Sequence, residues 1–287
     1  MGAGLEAHRR TAGSSDYGRA EGLESHRRTA GSSETKARRL PVRKRRGGDV
    51  EVYYDLHIHS CLSPCGDGDM TPANIAGMAA VKGLDVIAVT DHNSCKNCEA
   101  AMAAGAEYGV LVIPGMEICT AEEIHAVCLF PGLSEAMDFD RLVHDALPPV
   151  KNRPDIFGEQ QIYDCRDRIC GEEPYLLINA CSISFDGLWE LVRERDGVMF
   201  PAHIDKTANS LISSLGQIPP DSRFAAAEVK DLTRLHQLRR EHPYLEKCRI
   251  VSNSDAHYLE YIKEPELTLP VPEKTIRAVL DVLCGRE

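Results

Sequence analysis

Five short segments between Asp55 and His257 each place imidazole or carboxylate at the end of an apolar run. They read Asp55-Leu-His57-Ile-His59, Thr90-Asp91-His92-Asn93, Gly115-Met-Glu117 with Ile124-His125, Pro201-Ala-His203-Ile-Asp205, and Ser254-Asp255-Ala-His257. Six of the eleven histidines lie in these segments. Imidazole and carboxylate at one site suit divalent Zn, Mn or Fe. There are more such side chains than one tetrahedral ion takes, so the pattern implies two or three metals.

The spacing calls for strands. Residues two apart on a strand share a face. His57 and His59 can therefore serve one metal region from one strand end, and Asp255 and His257 can do so from another. Ligands dispersed over several strand ends are what a barrel-type active site provides. The elements needed to hold them are legible. Val50–His57 is a β-rich run. Pro72 suits the first turn of a helix reaching about Lys82, closed by Gly83. Apolar runs at 84–89, 110–113, 124–130, 198–203, 226–229 and 249–253 read as further strands. Helices are expected near 97–108, 134–146, 185–195 and 273–284. Strand–helix alternation argues a parallel α/β architecture.

From about Tyr53 onward the chain resembles the PHP (polymerase and histidinol phosphatase) domain family. The resemblance rests on Asp55-Leu-His57-Ile-His59-Ser60, followed by Asp67-Gly68-Asp69-Met70-Thr71-Pro72. It implies a distorted (β/α)7 barrel. It also implies a trinuclear site whose nine ligands fall at His57, His59, Asp67, His92, Glu117, His125, His203, Asp255 and His257. The activity it implies is phosphate-ester hydrolysis.

At such a site, adjacent cations lower the pKa of a shared water. They also neutralise phosphoryl oxygens in the transition state. A metal-activated hydroxide would then attack phosphorus with no covalent enzyme intermediate. Three candidate catalytic residues stand beside the ligands. Asp55 and Asp91 are expected to orient imidazoles by accepting hydrogen bonds. Lys206 is expected to hold the substrate phosphate or its leaving group, the alternative being an ordinary exposed lysine. Asn93 and Arg153 are further candidates for that role. Asp205 is either a neighbour of the ligands or a turn residue.

Residues 1–48 differ in character from 49–287. They hold 12 basic and 5 acidic residues, so the net −11 of the chain leaves −18 on the remainder. A 12-residue unit starting at Gly4 recurs, nearly unchanged, at Gly22. The segment is too polar to build a core and is expected to be a disordered tail. The acidic body disfavours long nucleic acid but not small phosphorylated substrates. No apolar run is long enough for a membrane span, and the basic N-terminus lacks the apolar stretch of a secretory signal. Eleven cysteines in that context point to a reducing cytoplasm.

Residues 131–197 are longer than one strand–helix unit requires and are expected to insert beside or over the barrel mouth. Cys61, Cys65, Cys95 and Cys98 follow His59 and His92. They raise the idea of a separate structural Zn, or of a redox pair, against four thiols with no joint role. The leading reading is a metal-dependent phosphoesterase acting on a small phosphorylated metabolite or nucleotide. The alternatives are an exonuclease on short oligonucleotides and a non-catalytic metal- or redox-sensing module.

Overall fold

The computed structural model describes residues 43–44 and 48–286. The expected disordered tail, with its duplicated unit, otherwise lies outside the described residues. Along the chain, β1 (Arg43–Lys44) and β2 (Val50–Ile58) precede α1 (Pro72–Lys82), β3 (Val86–Val89), α2 (Cys98–Tyr108), β4 (Leu111–Cys119) and β5 (His125–Leu129). Next come α3 (Leu133–Ala146), α4 (Pro154–Phe157), β6 (Gln161–Tyr163), β7 (Ile169–Glu172) and α5 (Phe185–Arg193). The last third holds β8 (Val198–Pro201), α6 (Leu211–Leu215), β9 (Ala226–Glu228), α7 (Leu235–Glu241), β10 (Arg249–Val251), β11 (Thr268–Val271) and α8 (Ile276–Leu283).

Local chemistry sets these boundaries. Thr71 Oγ1 accepts from Asn74 N at the start of α1, and Pro72 occupies the first helical turn. Gly83 ends the helix at φ 84°, a conformation that glycine adopts without steric cost. β3 is apolar and buried at every position, as a strand covered on both faces should be.

The main sheet runs β1-β2-β3-β4-β5-β8, with β11 antiparallel to β2. β9 and β10 form a parallel pair. Hydrogen bonds close the ring between these pieces. Ile204 N donates to Glu228 O at 2.9 Å, and Asp255 N donates to His57 O at 2.8 Å. β2, β3, β4, β5, β8, β9 and β10 thus make the distorted barrel, with β1 and β11 as antiparallel additions to β2. Its parallel order is broken once. β5 lies antiparallel to both β4 and β8. Only residues 120–124 join β4 to β5, enough for a hairpin and too few for a helical crossover. β11 escaped the sequence reading because its four residues, two of them apolar, carry little pattern.

Side-chain parity decides what reaches the interior. Val52, Tyr54, Leu56, Val86, Ala88, Ile113, Val127, Leu129, Val198, Phe200 and Ala202 share one buried cluster with Val279 and Leu283 of α8. That cluster fills the barrel, with α8 at its base. Ile58, Ile87 and Val89 lie in the layer under α1 and α2. Leu56 and Ile58 would share a face in a regular strand. A register shift between Asp55 and Ile58 separates them and turns His57 and His59 inward. The same flip occurs just past β8, where Ala202 faces the interior and Ile204 the outer layer. There His203 makes the turn at φ 29°.

The expected insertion narrows. α3 and α5 pack on the barrel through Phe139, Val143, Leu188 and Val192, as crossover helices do. The segment between them rests on the loops that follow β2 and β3. Gln161 N donates to Cys61 O at 3.1 Å, and Asn93 Nδ2 donates to Leu177 O at 2.6 Å. These loops carry His59 and His92, so the segment lies at the end of the barrel where the candidate ligands gather. Among the described residues, no helix is long and apolar enough to cross a membrane.

Candidate metal centre

Glu117, on β4, lies at the centre of the site and is almost fully buried. Its Oε1 lies 3.2 Å from His57 Nε2 and 3.1 Å from both His125 Nδ1 and His203 Nε2. Its Oε2 lies 3.2 Å from His59 Nε2 and 3.1 Å from His92 Nδ1. One carboxylate therefore faces five imidazoles. Asp255 Oδ1 approaches His57 and His59 Nε2 at 3.6 and 3.4 Å. His257 stacks on His59 with ring centroids 4.2 Å apart. Asn93, His203 and Asp255, each just past a strand end, adopt positive φ values of 48°, 29° and 54°. Strained backbone of this kind collects where a site must be held in a set shape.

Hydrogen bonds behind the imidazoles fix which nitrogen faces inward. His57 Nδ1 is 2.9 Å from Glu228 Oε2. His257 Nδ1 is 2.9 Å from the Asp255 carbonyl. Asp91 accepts from Ser63 Oγ at 2.7 Å, and Ser63 Oγ lies 2.9 Å from His59 Nδ1. Because Ser63 gives its proton to Asp91, it accepts from His59. In these three rings Nδ1–H is committed outward and Nε2 is left facing inward, the arrangement of a ligating imidazole, whereas His92 and His125 face Glu117 through Nδ1.

The site's charge matches a cation. Burial disfavours ionised Glu117, yet His125, His57 and His92 outweigh it and hold the carboxyl well below its ordinary range. Burial likewise opposes the His57 cation, but Glu117, Glu228 and Asp255 raise it well above an ordinary histidine. His125 is raised to about 10 against its burial, chiefly by Glu117. His92 is pushed well down by burial, and His257 is lowered to about 4 for the same reason. His92 Nδ1 is buried near Glu117 Oε2 but not aligned for a hydrogen bond. Unaligned buried donor atoms facing a shared carboxylate fit metal ligation. Three overlapping groups have that geometry: His57, His59, Glu117 and Asp255; His92, Glu117 and His125; His59, His92 and His257.

The remaining expected site residues fall as follows. Asp67 is on the loop beside His257, its amide donating to His257 O, but its Oδ1 accepts from Asp69 N and it joins none of the three groups. Asp91 reaches His59 through Ser63. The Asp55 oxygens accept from Ser254 N and Lys263 N, so Asp55 holds the backbone that carries Asp255 rather than an imidazole. Lys206 Nζ donates to Asp255 Oδ2 at 2.6 Å. Asn93 spends its side chain on Leu177 O, Asn179 O and Cys119 N. Arg153 pairs with Asp155 on the exposed surface, away from the centre. Asp205 accepts from Lys230 N and Asp231 N and is a turn residue.

The idea of a structural Zn at the cysteines finds no support in the geometry. Among the described residues, no metal-holding group includes a thiol. Cys95 and Cys98 point into the core, both toward Gly115 O, and burial pushes the Cys61 thiol up to about 12. They are small core residues rather than a zinc site.

Three contributors were missed in the sequence. Ser63 and Asn209 gave no signal there; Asn209 Nδ2 lies 2.9 Å from His125 Nε2. Glu228 did give one, a carboxylate inside the apolar run Ala226–Val229. Burial would raise it, but His57 holds its carboxyl down at about 2.

The chain belongs to the PHP domain family, whose model matches residues 55–274. This is a family of metal-dependent phosphoesterases. Two curated relatives are similar over short stretches. A 5'-3' exoribonuclease from Haemophilus influenzae is 38% identical over 79 residues, 26% of this chain and 28% of that protein. A 3',5'-nucleoside bisphosphate phosphatase from Chromobacterium violaceum is 34% identical over 73 residues, 25% of each. The chain thus matches about a quarter of the length of these relatives. Among solved structures, the lesion-specific endonuclease PfuEndoQ from Pyrococcus furiosus superposes with a TM-score of 0.57 at 20% identity, covering 83% of this chain and 56% of that one. A two-domain protein with a PHP-like phosphoesterase from Bacteroides vulgatus gives 0.51 at 16%, covering 87% and 67%. These two likenesses speak to the fold. Since nucleic-acid enzymes stand among the similar proteins, net charge alone does not exclude nucleic acid as a substrate.

Proposed function

We propose that this chain hydrolyses a phosphate ester on a nucleotide or another small phosphorylated metabolite, using three divalent cations. The observation that carries this reading is Glu117 shared among five imidazoles. An anion placed there suits adjacent cations, each with its own histidines.

In the proposed assignment, His57, His59, Glu117 and Asp255 hold one ion. His92, Glu117 and His125 would hold a second, and His257, with help from Asp67, would serve a third. His203 completes the shell around Glu117. Mn, Zn and Fe all suit this donor set. Bound cations supply an acidified water and charge neutralisation at phosphorus. The chain's own residues do the rest. Glu117 and Asp255 fix the spacing of the imidazoles. Asp91, through Ser63, keeps His59 Nε2 directed inward. Lys206, beside Asp255 and partly open to solvent, offers its ammonium to a non-bridging phosphate oxygen.

The similarity to a nucleoside bisphosphate phosphatase supports a small nucleotide substrate. The similarity to an exoribonuclease supports a second reading, end-wise cleavage of short oligonucleotides. Phosphate and nucleotide release by protein loaded with Mn, Fe or Zn separates them. The panel is mononucleotides, nucleoside bisphosphates, short oligonucleotides and histidinol phosphate, with Asp255→Ala as control. Faster turnover of bisphosphates supports the first reading, and faster shortening of oligonucleotides the second. Full metal occupancy with no turnover of any substrate would overturn both.

A further inference from the structure

We propose that Glu228 is a positioning residue that ties the metal affinity of His57 to closure of the barrel between β8 and β9. It is fully buried, and its two ends do different work. Its main-chain oxygen accepts from Ile204 N at 2.9 Å. Its Oε2 accepts from the His203 amide at 3.0 Å and lies 2.9 Å from His57 Nδ1.

The geometry explains why one residue does both. β8 and β9 form no continuous ladder. At φ 29° His203 leaves the regular strand, so its amide turns from the neighbouring backbone and needs another acceptor. The Glu228 carboxylate is that acceptor, and the Glu228 carbonyl serves the next amide. The same carboxylate oxygen then reaches His57, which comes from β2. Strands β2 and β8 lie far apart in the sheet order, and Glu228 links a ligand from each. It is not itself in the metal-holding groups, because it meets the His57 ring on the side opposite Nε2.

A carboxylate behind a ligating imidazole fixes its tautomer and raises its basicity, and its loss costs roughly 10–100-fold in metal affinity. Glu228→Gln is nearly isosteric but neutral: its amide oxygen can still accept from His203 N and His57 Nδ1 as Oε2 does, so the variant removes chiefly the negative charge behind the ring. The test is metal affinity and stoichiometry by calorimetry, with the His57 tautomer read from ring-nitrogen NMR shifts. Glu228→Gln is expected to lose roughly tenfold or more in affinity and to shift the His57 nitrogens. In a His57→Gln background it should cost no further affinity. Unchanged affinity and tautomer in Glu228→Gln would overturn the proposal, as would an equal loss in both backgrounds. Should Glu228→Gln not fold, Glu228→Asp serves: its shorter carboxylate keeps the charge but withdraws from Nδ1, and wild-type affinity in it would equally overturn the idea. Because these readouts are binding and spectroscopy, the inference stands or falls apart from the choice of substrate.

Discussion

His57 Nε2 and His59 Nε2 lie 3.1 Å apart. The Nδ1 of each is committed elsewhere, to Glu228 and Ser63. Two lone pairs at that distance repel unless a positive charge lies between or beside them. Without metal a proton supplies that charge: against their burial, Glu117, Glu228 and Asp255 raise His57, and Asp255 and Glu117 raise His59. A cation supplies it without distorting either outer hydrogen bond. Metal is therefore expected to bind the folded chain far better than the unfolded one. Ligand at about a hundred times its dissociation constant adds about 2.7 kcal/mol of stability. For a domain of this size that is a rise of roughly 5–10 °C in melting temperature. Calorimetry of chelator-treated protein, with and without Mn or Zn, measures it. A melting temperature indifferent to metal would contradict the assignment of these imidazoles as ligands.

Ser63 supplies a second test. Its hydroxyl donates to Asp91 Oδ1 at 2.7 Å and accepts from His59 Nδ1 and the His92 amide. Ser63→Ala leaves His59 without its outer partner and lets the ring take the other tautomer. Metal affinity is expected to drop roughly tenfold to a hundredfold, with the circular dichroism unchanged. Equilibrium dialysis with metal analysis reads it. Wild-type affinity in this variant would mean that packing alone holds the ring.

The cluster around Glu117 was legible because imidazole and carboxylate at strand ends are rare by accident and keep a period of two. The helix around α1 was legible because Thr71, Pro72 and Gly83 each act within a few residues. What escaped depends on three dimensions. Nothing local announces that Asp55 turns to Ser254 and Lys263, about 200 residues away, and the reversal of β5 follows only once β4 is known to run as far as Cys119. Glu228 was in plain view inside an apolar strand, but a lone buried acid reads as strand sequence until its partner is known. The cysteine loops left two readings open because their spacing resembles a metal site, whereas Cys95 and Cys98 face Gly115 O in the core. Cys95→Ser is accordingly expected to bind the same number of metals as the parent chain, with elemental analysis as the check. Loss of one Zn per chain would restore the structural-zinc idea.

The segment over the strand ends is anchored by an ion pair between Lys96 and the buried Glu173. Glu173 Oε1 also accepts from Tyr175 N at 3.1 Å. Only Glu173 is fully buried and the Lys96 side chain is 26% exposed, so removing the carboxylate costs its charge-assisted hydrogen bonds, roughly 1.5–3 kcal/mol. Glu173→Ala is expected to lose about that much by urea unfolding, with faster hydrogen exchange concentrated in residues 150–180. A surface-sized loss with no local change in exchange would show that the segment is held by its other contacts.

Lys206 tests the substrate side of the centre. Its Nζ lies 2.6 Å from Asp255 Oδ2, the oxygen farther from the histidines, while its side chain remains 44% exposed. Burial works against its charge, but Asp255 outweighs that and raises it, so it stays an ammonium across the neutral range. It cannot serve as a general base there; it can hold an anion. Lys206→Met removes the charge and keeps much of the chain's length. If the ammonium binds the phosphoryl group as charge develops, kcat/KM should fall roughly 100-fold, about what removing one preorganised donor costs. Metal stoichiometry should be retained, since Asp255 Oδ1 still faces His57 and His59. A rise in KM with kcat unchanged would place the lysine in ground-state binding alone. Loss of metal together with activity would instead make Lys206 a support for Asp255, and would remove it from the substrate.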